Sequence, residues 1–229
     1  MKRIVRRASW LVILIFGELA ACGGDPVAVP AKTYMGYPAS IDPQCRDGKA
    51  RIFDECGDQA ALFSAALDRA KGERKVLLVE FGSEWCIWCH VFEAHVNGGY
   101  NRFQYTYGSP DETEARYTHT FDEGPGADAA AAASLRDFVA STFVIVHVDA
   151  EYAPNGWKVL ATTGAQEHFP GGIPFVFTVD GTGRFAAMFN HGAAEVRRES
   201  VSDWYRGYNR AALLQQLTAM RDAARGNTP

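Results

Sequence analysis

A chain of 229 residues is long enough for one decorated domain and too short for two full ones. An apolar share of 47% supplies a globular core of ordinary size. The formal net charge is −4, and an acidic balance argues against nucleic acid as a partner.

Residues 1–21 read as a targeting segment. Lys2, Arg3, Arg6 and Arg7 give a basic start, and Trp10 to Phe16 is an apolar run. That run falls short of the roughly 20 apolar residues a bilayer span requires, so the segment reads as a signal peptide. Leu19-Ala20-Ala21-Cys22 resembles the bacterial lipobox, although Glu18 departs from the usual apolar run. The resemblance implies lipidation of Cys22 and a chain anchored in the bacterial cell envelope, facing the periplasm or the exterior. An ordinary signal peptide with Cys22 as a bystander thiol is the alternative. Loss of residues 1–21 removes four basic residues and one acid, which moves the formal charge from −4 to −7.

Residues 22–56 read as a tether and N-terminal extension. Pro26, Pro30, Pro38 and Pro43 punctuate the stretch 25–43, which has no helical periodicity. With Cys22 set aside, four of the five cysteines remain, enough for two pairs. Cys45 and Cys56 are expected to form a structural disulfide in an oxidising compartment, closing a loop that stabilises by roughly 2–3 kcal/mol. A second redox pair relaying electrons to Cys86 and Cys89 is the functional alternative. The domain proper is placed at 57–226. It opens with a helix from Asp58, a capping residue, through Ala70, with Phe63, Leu67 and Ala70 on one face and Gly72 as its stop.

Val76 to Phe81 is a short, β-rich apolar run, the pattern of a strand buried on both faces. Gly82 and Ser83 break it. Cys86 and Cys89 are three apart, so one helical turn brings both sulfurs to the same helix end. The helix runs through Val91, Phe92, His95 and Val96 and stops at Asn97-Gly98-Gly99. A thiol at a helix N-terminus meets unpaired N–H groups and the positive end of the dipole. Both favour the thiolate, so the Cys86 pKa is expected below the free value of about 8.5. Cys86 is the candidate nucleophile and Cys89 the resolving thiol.

The stretch LLVEFGSEWCIWC resembles the thioredoxin superfamily, and CIWCHVFE resembles its subgroup with a Cys-x-Trp-Cys-His pattern. In that family an acid six residues before the first cysteine lies buried beneath the pair and helps move the resolving thiol's proton. The resemblance puts Glu80 in that role, the residue that protein disulfide isomerase domains also carry there. It also implies that Trp85 and Trp88 shape the rim.

Between Asn97 and Ala127 the helical pattern dissolves into glycine, proline and acids mixed with aromatics. The segment reads as an insertion within the helix, either a lid of aromatics near the cysteines or a surface excursion. Asp128 to Ser141 resumes a helix, with Leu135, Phe138 and Val139 as its buried face. Phe143 to Val148 reads as a central strand in which His147 is structural. Trp157 to Thr163 is a short helix closed by Gly164. In GGIPFVFTVD, Ile173-Pro174 matches the family's cis-proline place, which implies that both residues line the substrate groove beside the cysteines. Gly181 to Gly183 turns a hairpin into 184–189. His191 is a weak site candidate that reads as a solvent-exposed loop residue. Asp203 to Arg225 reads as a long terminal helix with Tyr205, Tyr208, Leu213, Leu214, Leu217 and Met220 buried.

The resemblance covers roughly Gln59 to Ala224 apart from the insertion. It implies an α/β thioredoxin fold, a central mixed sheet flanked by helices. The activity it implies is thiol–disulfide exchange with protein thiols and disulfides, with no cofactor and no metal. His90 lies one turn after Cys86 and either tunes the thiolate as an imidazolium or stays neutral. It also completes Cys-x-x-Cys-His, the c-type haem attachment pattern, in which Cys86 and Cys89 would bind haem and His90 the iron. A non-catalytic binding module on the same fold is the third reading.

Overall fold

The computed structural model describes residues 36–100, 102–108, 116–123, 127–199 and 204–226, all within one compact unit, Thr33–Pro229. The expected signal peptide, the expected lipidation at Cys22 and residues 22–35 of the expected tether lie outside the described residues.

In chain order the elements are β1 Gly36–Tyr37, α1 Gln59–Glu73, β2 Val76–Gly82, α2 Ile87–Val96, β3 Arg102–Gly108, β4 Arg116–Asp122, α3 Ala129–Thr142, β5 Phe143–Asp149, α4 Gly156–Thr163, β6 Phe175–Val179, β7 Phe185–Met188, α5 His191–Ala194, β8 Glu195–Glu199, β9 Trp204–Tyr208 and α6 Arg210–Gly226. The main sheet has the order β1-β5-β2-β6-β7. β5 runs parallel to β1 and β2, whereas β6 pairs antiparallel with β2 and with β7. This is the expected mixed sheet.

The two-residue period of the strands sorts the core into two layers. Val76 and Leu78 of β2, with Phe143 and Ile145 of β5, pack against α2, α3 and α6. Leu77, Val79 and Phe81, with Val144, Val146 and Val148, pack against α1 and α4. Both strands are buried along their whole length, as continuous apolar runs require. The same period puts Glu80, Gly82 and His147 on the α2 side, at the end of the sheet where the cysteines lie.

Local signals set most boundaries. The Asp58 carboxylate accepts the N–H groups of Ala60 and Ala61 and starts α1; Asp128 does the same for α3 with Ala130 and Ala131. Gly164 closes α4 in the left-handed region, at φ 79°. Gly72, expected to stop α1, lies inside its last turn; the stop is Arg74, at φ 55°. Gly36–Tyr37, within the stretch read as an extended tether, is already strand on the edge of β5.

Two segments differ in kind from the sequence reading. The stretch between α2 and α3 carries an antiparallel hairpin, with Phe103 opposite Phe121, Tyr105 opposite His119 and Tyr107 opposite Tyr117. The terminal helix begins at Arg210, not Asp203, because residues 204–208 are strand β9 paired with β8. The Asn209 side chain accepts the Ala212 N–H and marks the true start. No helix among the described residues is long and apolar enough to cross a membrane.

Candidate active site

Strand β2 ends at Gly82, and the chain turns through Ser83 to Trp85 into α2. Cys86 is the N-cap residue of α2, and its sulfur accepts the Cys89 N–H at 3.2 Å. The expected donor at the helix end therefore points at the expected nucleophile. Cys86 and Cys89 form a disulfide, with Cα atoms 5.3 Å apart. Gly82 is required by space: a Cβ there would stand 2.6 Å from Cys89 Sγ and 2.9 Å from the Phe53 ring.

At the same end of the sheet lies a buried acid–base couple. Glu80 is fully buried on β2, in register with His147 on β5, and its Oε2 is 3.2 Å from His147 Nε2. Burial raises the Glu80 pKa above its usual range, against the opposing pull of His147. His147 is thus structural, as expected, but its partner is the candidate proton-transfer acid.

Cys86 and Cys89 share an apolar cluster with Trp85, Trp88 and Ile173, so the structure brings together the cysteines and three of the four residues expected to meet substrate. The fourth, Pro174, is buried, and the Ile173-Pro174 bond is cis as expected. Trp85 Nε1 donates to the Glu151 carboxylate at 2.9 Å, which fixes the indole.

His90 departs from the tuning role. It is buried, and burial lowers its pKa to about 3, so the ring is neutral. Its Nε2–H donates to the Glu84 carbonyl at 2.8 Å. An imidazolium partner for Cys86 is therefore absent at neutral pH. The haem pattern does not fit this arrangement either, because the two sulfurs are bonded to each other and the His90 Nε2 is committed to a backbone carbonyl. His191 is not a solvent-exposed loop residue. It is half-buried against Phe92 and Phe189, its Nδ1 bonds the Tyr208 hydroxyl at 2.8 Å, and burial lowers its pKa to about 4.

Cys45 and Cys56 form the second disulfide, with Cα atoms 5.8 Å apart. With Asp54 they bring ligand-type atoms within 4.8 Å of one another. As a metal site the group is closed, since its sulfurs are joined and Asp54 Oδ1 accepts the N–H groups of Cys56 and Gly57.

Two residues of the site carry no obvious sequence signal. Phe53, fully buried, packs against the cysteine pair and meets the His147 ring edge-on at 5.4 Å. Glu84 Oε2 accepts three consecutive N–H groups, from Arg51, Ile52 and Phe53, at 3.0, 3.0 and 3.1 Å. Burial nonetheless raises its pKa. The Glu80–His147 couple, by contrast, was legible: each follows four apolar residues of its strand.

No protein-family profile matches the chain. It is similar to the thiol:disulfide interchange protein DsbD of Pseudomonas fluorescens, with 30% identity over 91 residues, 40% of this chain. The match spans 14% of that relative's length. Among solved structures it is similar to a disulphide isomerase from Xylella fastidiosa Temecula1, at TM-score 0.37 and 17% identity over 60% of this chain and 77% of that one.

Proposed function

We propose that the chain is a thiol–disulfide oxidoreductase that exchanges disulfides with exported proteins, held in the bacterial cell envelope by a lipid on Cys22. The observation that carries this reading is the cysteine pair itself: a disulfide across the first turn of a helix, with a helix N–H on the Cys86 sulfur and a buried carboxyl on the strand that leads into that helix. The similarity to a part of a thiol:disulfide interchange protein supports it.

In the reduced chain the Cys86 thiolate attacks one sulfur of a substrate disulfide. That bond breaks, a mixed disulfide forms, and the departing sulfur leaves as a thiolate that takes a proton from water. Glu80, as carboxylate, takes the Cys89 proton. The Cys89 thiolate then attacks Cys86, the enzyme disulfide closes, and the substrate leaves reduced. The reverse sequence oxidises a substrate dithiol. Trp85, Trp88, Ile173 and Pro174 form the apolar surface that receives the substrate backbone, and Cys45–Cys56 serves structure.

A Cys89→Ser variant tests the reading, since it can form the mixed disulfide but cannot resolve it. Incubated with a peptide disulfide, it is expected to hold one peptide on Cys86 by peptide mapping. An adduct on Cys45 or Cys56, or none, overturns the assignment. Incorporation of labelled fatty acid that is lost in Cys22→Ala tests the anchor.

A further inference from the structure

The proposed reaction requires a partner sulfur to reach Cys86, yet Cys86 is 3% exposed and Cys89 is fully buried. Two of the buried residues packed against them come from the N-terminal extension. Ile52 and Phe53 pack in one cluster with both cysteines and with Trp85, Trp88 and Ile173, the residues assigned to substrate. We infer that residues 51–53 are a cover on the substrate-facing side of the redox pair, and that Glu84 is the positioning residue that latches it. The inference rests on the proposed oxidoreductase function and adds to it the control of access.

The latch is a single carboxylate oxygen gripping three successive backbone N–H groups. Hydrogen bonds to a charged acceptor are the strong kind, and losing the acceptor would leave the part-buried Ile52 and Phe53 N–H groups without this partner. The cover belongs to a closed loop. Cys45 and Cys56 join its ends, Arg46 bridges to Glu55 at 3.5 Å, and Gln59 Nε2 donates to the Asp54 and Gly57 carbonyls. Once the Glu84 contact is released, these bonds keep such a loop from unravelling. Glu84 is also one residue from Trp85 and two from Cys86, and its own carbonyl receives His90. The latch is therefore built into the turn that presents the nucleophile. Proteins that carry bulk around their cysteines need the cover lifted, while a small dithiol needs only a partial opening.

The test uses the oxidised full chain. Opening of Cys86–Cys89 by dithiothreitol and by a reduced, unfolded protein is followed by alkylation and mass mapping, in wild type and in Glu84→Ala. Amide exchange at residues 51–53 is read in parallel. Glu84→Ala is expected to open about tenfold faster, the equivalent of one lost charged hydrogen bond, with a larger gain for the protein thiol than for dithiothreitol. Faster amide exchange at 51–53 without a change in either opening rate overturns the inference. Ile52→Ala thins the cover without touching the latch and serves if Glu84→Ala fails to fold. It is expected to speed opening, and an unchanged rate there counts against the cover equally. A Glu84→Ala chain that opens faster but exchanges with no protein thiol supports the cover while removing the oxidoreductase reading.

Discussion

The two disulfides of this chain are the same bond in different surroundings. Cys45–Cys56 spans 11 residues of turn-rich chain and joins the ends of a loop. Cys86–Cys89 spans three, at the first turn of a helix, after a strand that carries a buried carboxyl. Exposure alone would choose Cys56 over the proposed nucleophile, because Cys56 is exposed and Cys86 is not. Reactivity instead follows what receives the charge and the proton. A helix N–H faces Cys86, and Glu80 lies buried two residues before Gly82, where a Cβ would meet Cys89 Sγ, whereas the Asp54 carboxylate 3.9 Å from Cys45 Sγ would repel a thiolate. In the proposed function the loop disulfide constrains the unfolded chain and the helix-end disulfide opens.

The largest effect that separates them is on activity. Cys86→Ser is expected to abolish disulfide exchange in an insulin-reduction assay, and the double variant Cys45→Ala, Cys56→Ala to retain it. Loss in both would restore the relay reading of Cys45 and Cys56. Phe53, where the two regions touch, gives the next effect. Phe53→Ala removes a fully buried ring and is expected to cost about 3–5 kcal/mol in denaturant unfolding. Opening the Cys45–Cys56 loop by the double variant is expected to cost roughly 2–3 kcal/mol by the same measurement.

The smallest effect is in pH dependence. His90 has a folded value of about 3 against an ordinary 6.5. Between these values the unfolded chain binds a proton that the folded chain refuses. The His90 contribution is therefore complete above pH 6.5 and is lost as pH falls below it. Glu55, raised to about 7 by burial and then by Asp149, acts with the opposite sign: its contribution is complete below pH 4.5 and lost as pH rises through 7. Wild type and His90→Gln share Glu55, so their difference isolates the histidine. Between pH 6 and 4 the variant is expected to lose up to about 1.4 kcal/mol less per pH unit in urea titrations.

How far the sequence could be read divides along the same line. The helix-end pair was legible because each signal was local: an apolar strand, a cysteine spacing, capping carboxylates, an Ile-Pro. What lay across the fold was not. Phe53 reaches the pair from 33 residues upstream of Cys86, and Glu84 acts through side-chain contacts that no spacing reveals. The hairpin of β3 and β4 was visible in hindsight, since Phe103, Tyr105 and Tyr107 alternate with polar residues, a period of two. Interleaved glycine, proline and acids hid it. In β9, Tyr205 and Tyr208 are three apart, which mimics a helical face, while Gly207 and the β-forming Trp204 argued for strand.

The most direct test is an equilibrium titration of the full chain in glutathione buffers, with each cysteine read by alkylation and mass mapping. The account predicts that Cys86–Cys89 opens and closes reversibly across the glutathione range while Cys45–Cys56 stays closed. A titration in which Cys45–Cys56 opens first, or in which Cys86–Cys89 stays closed throughout, would contradict it.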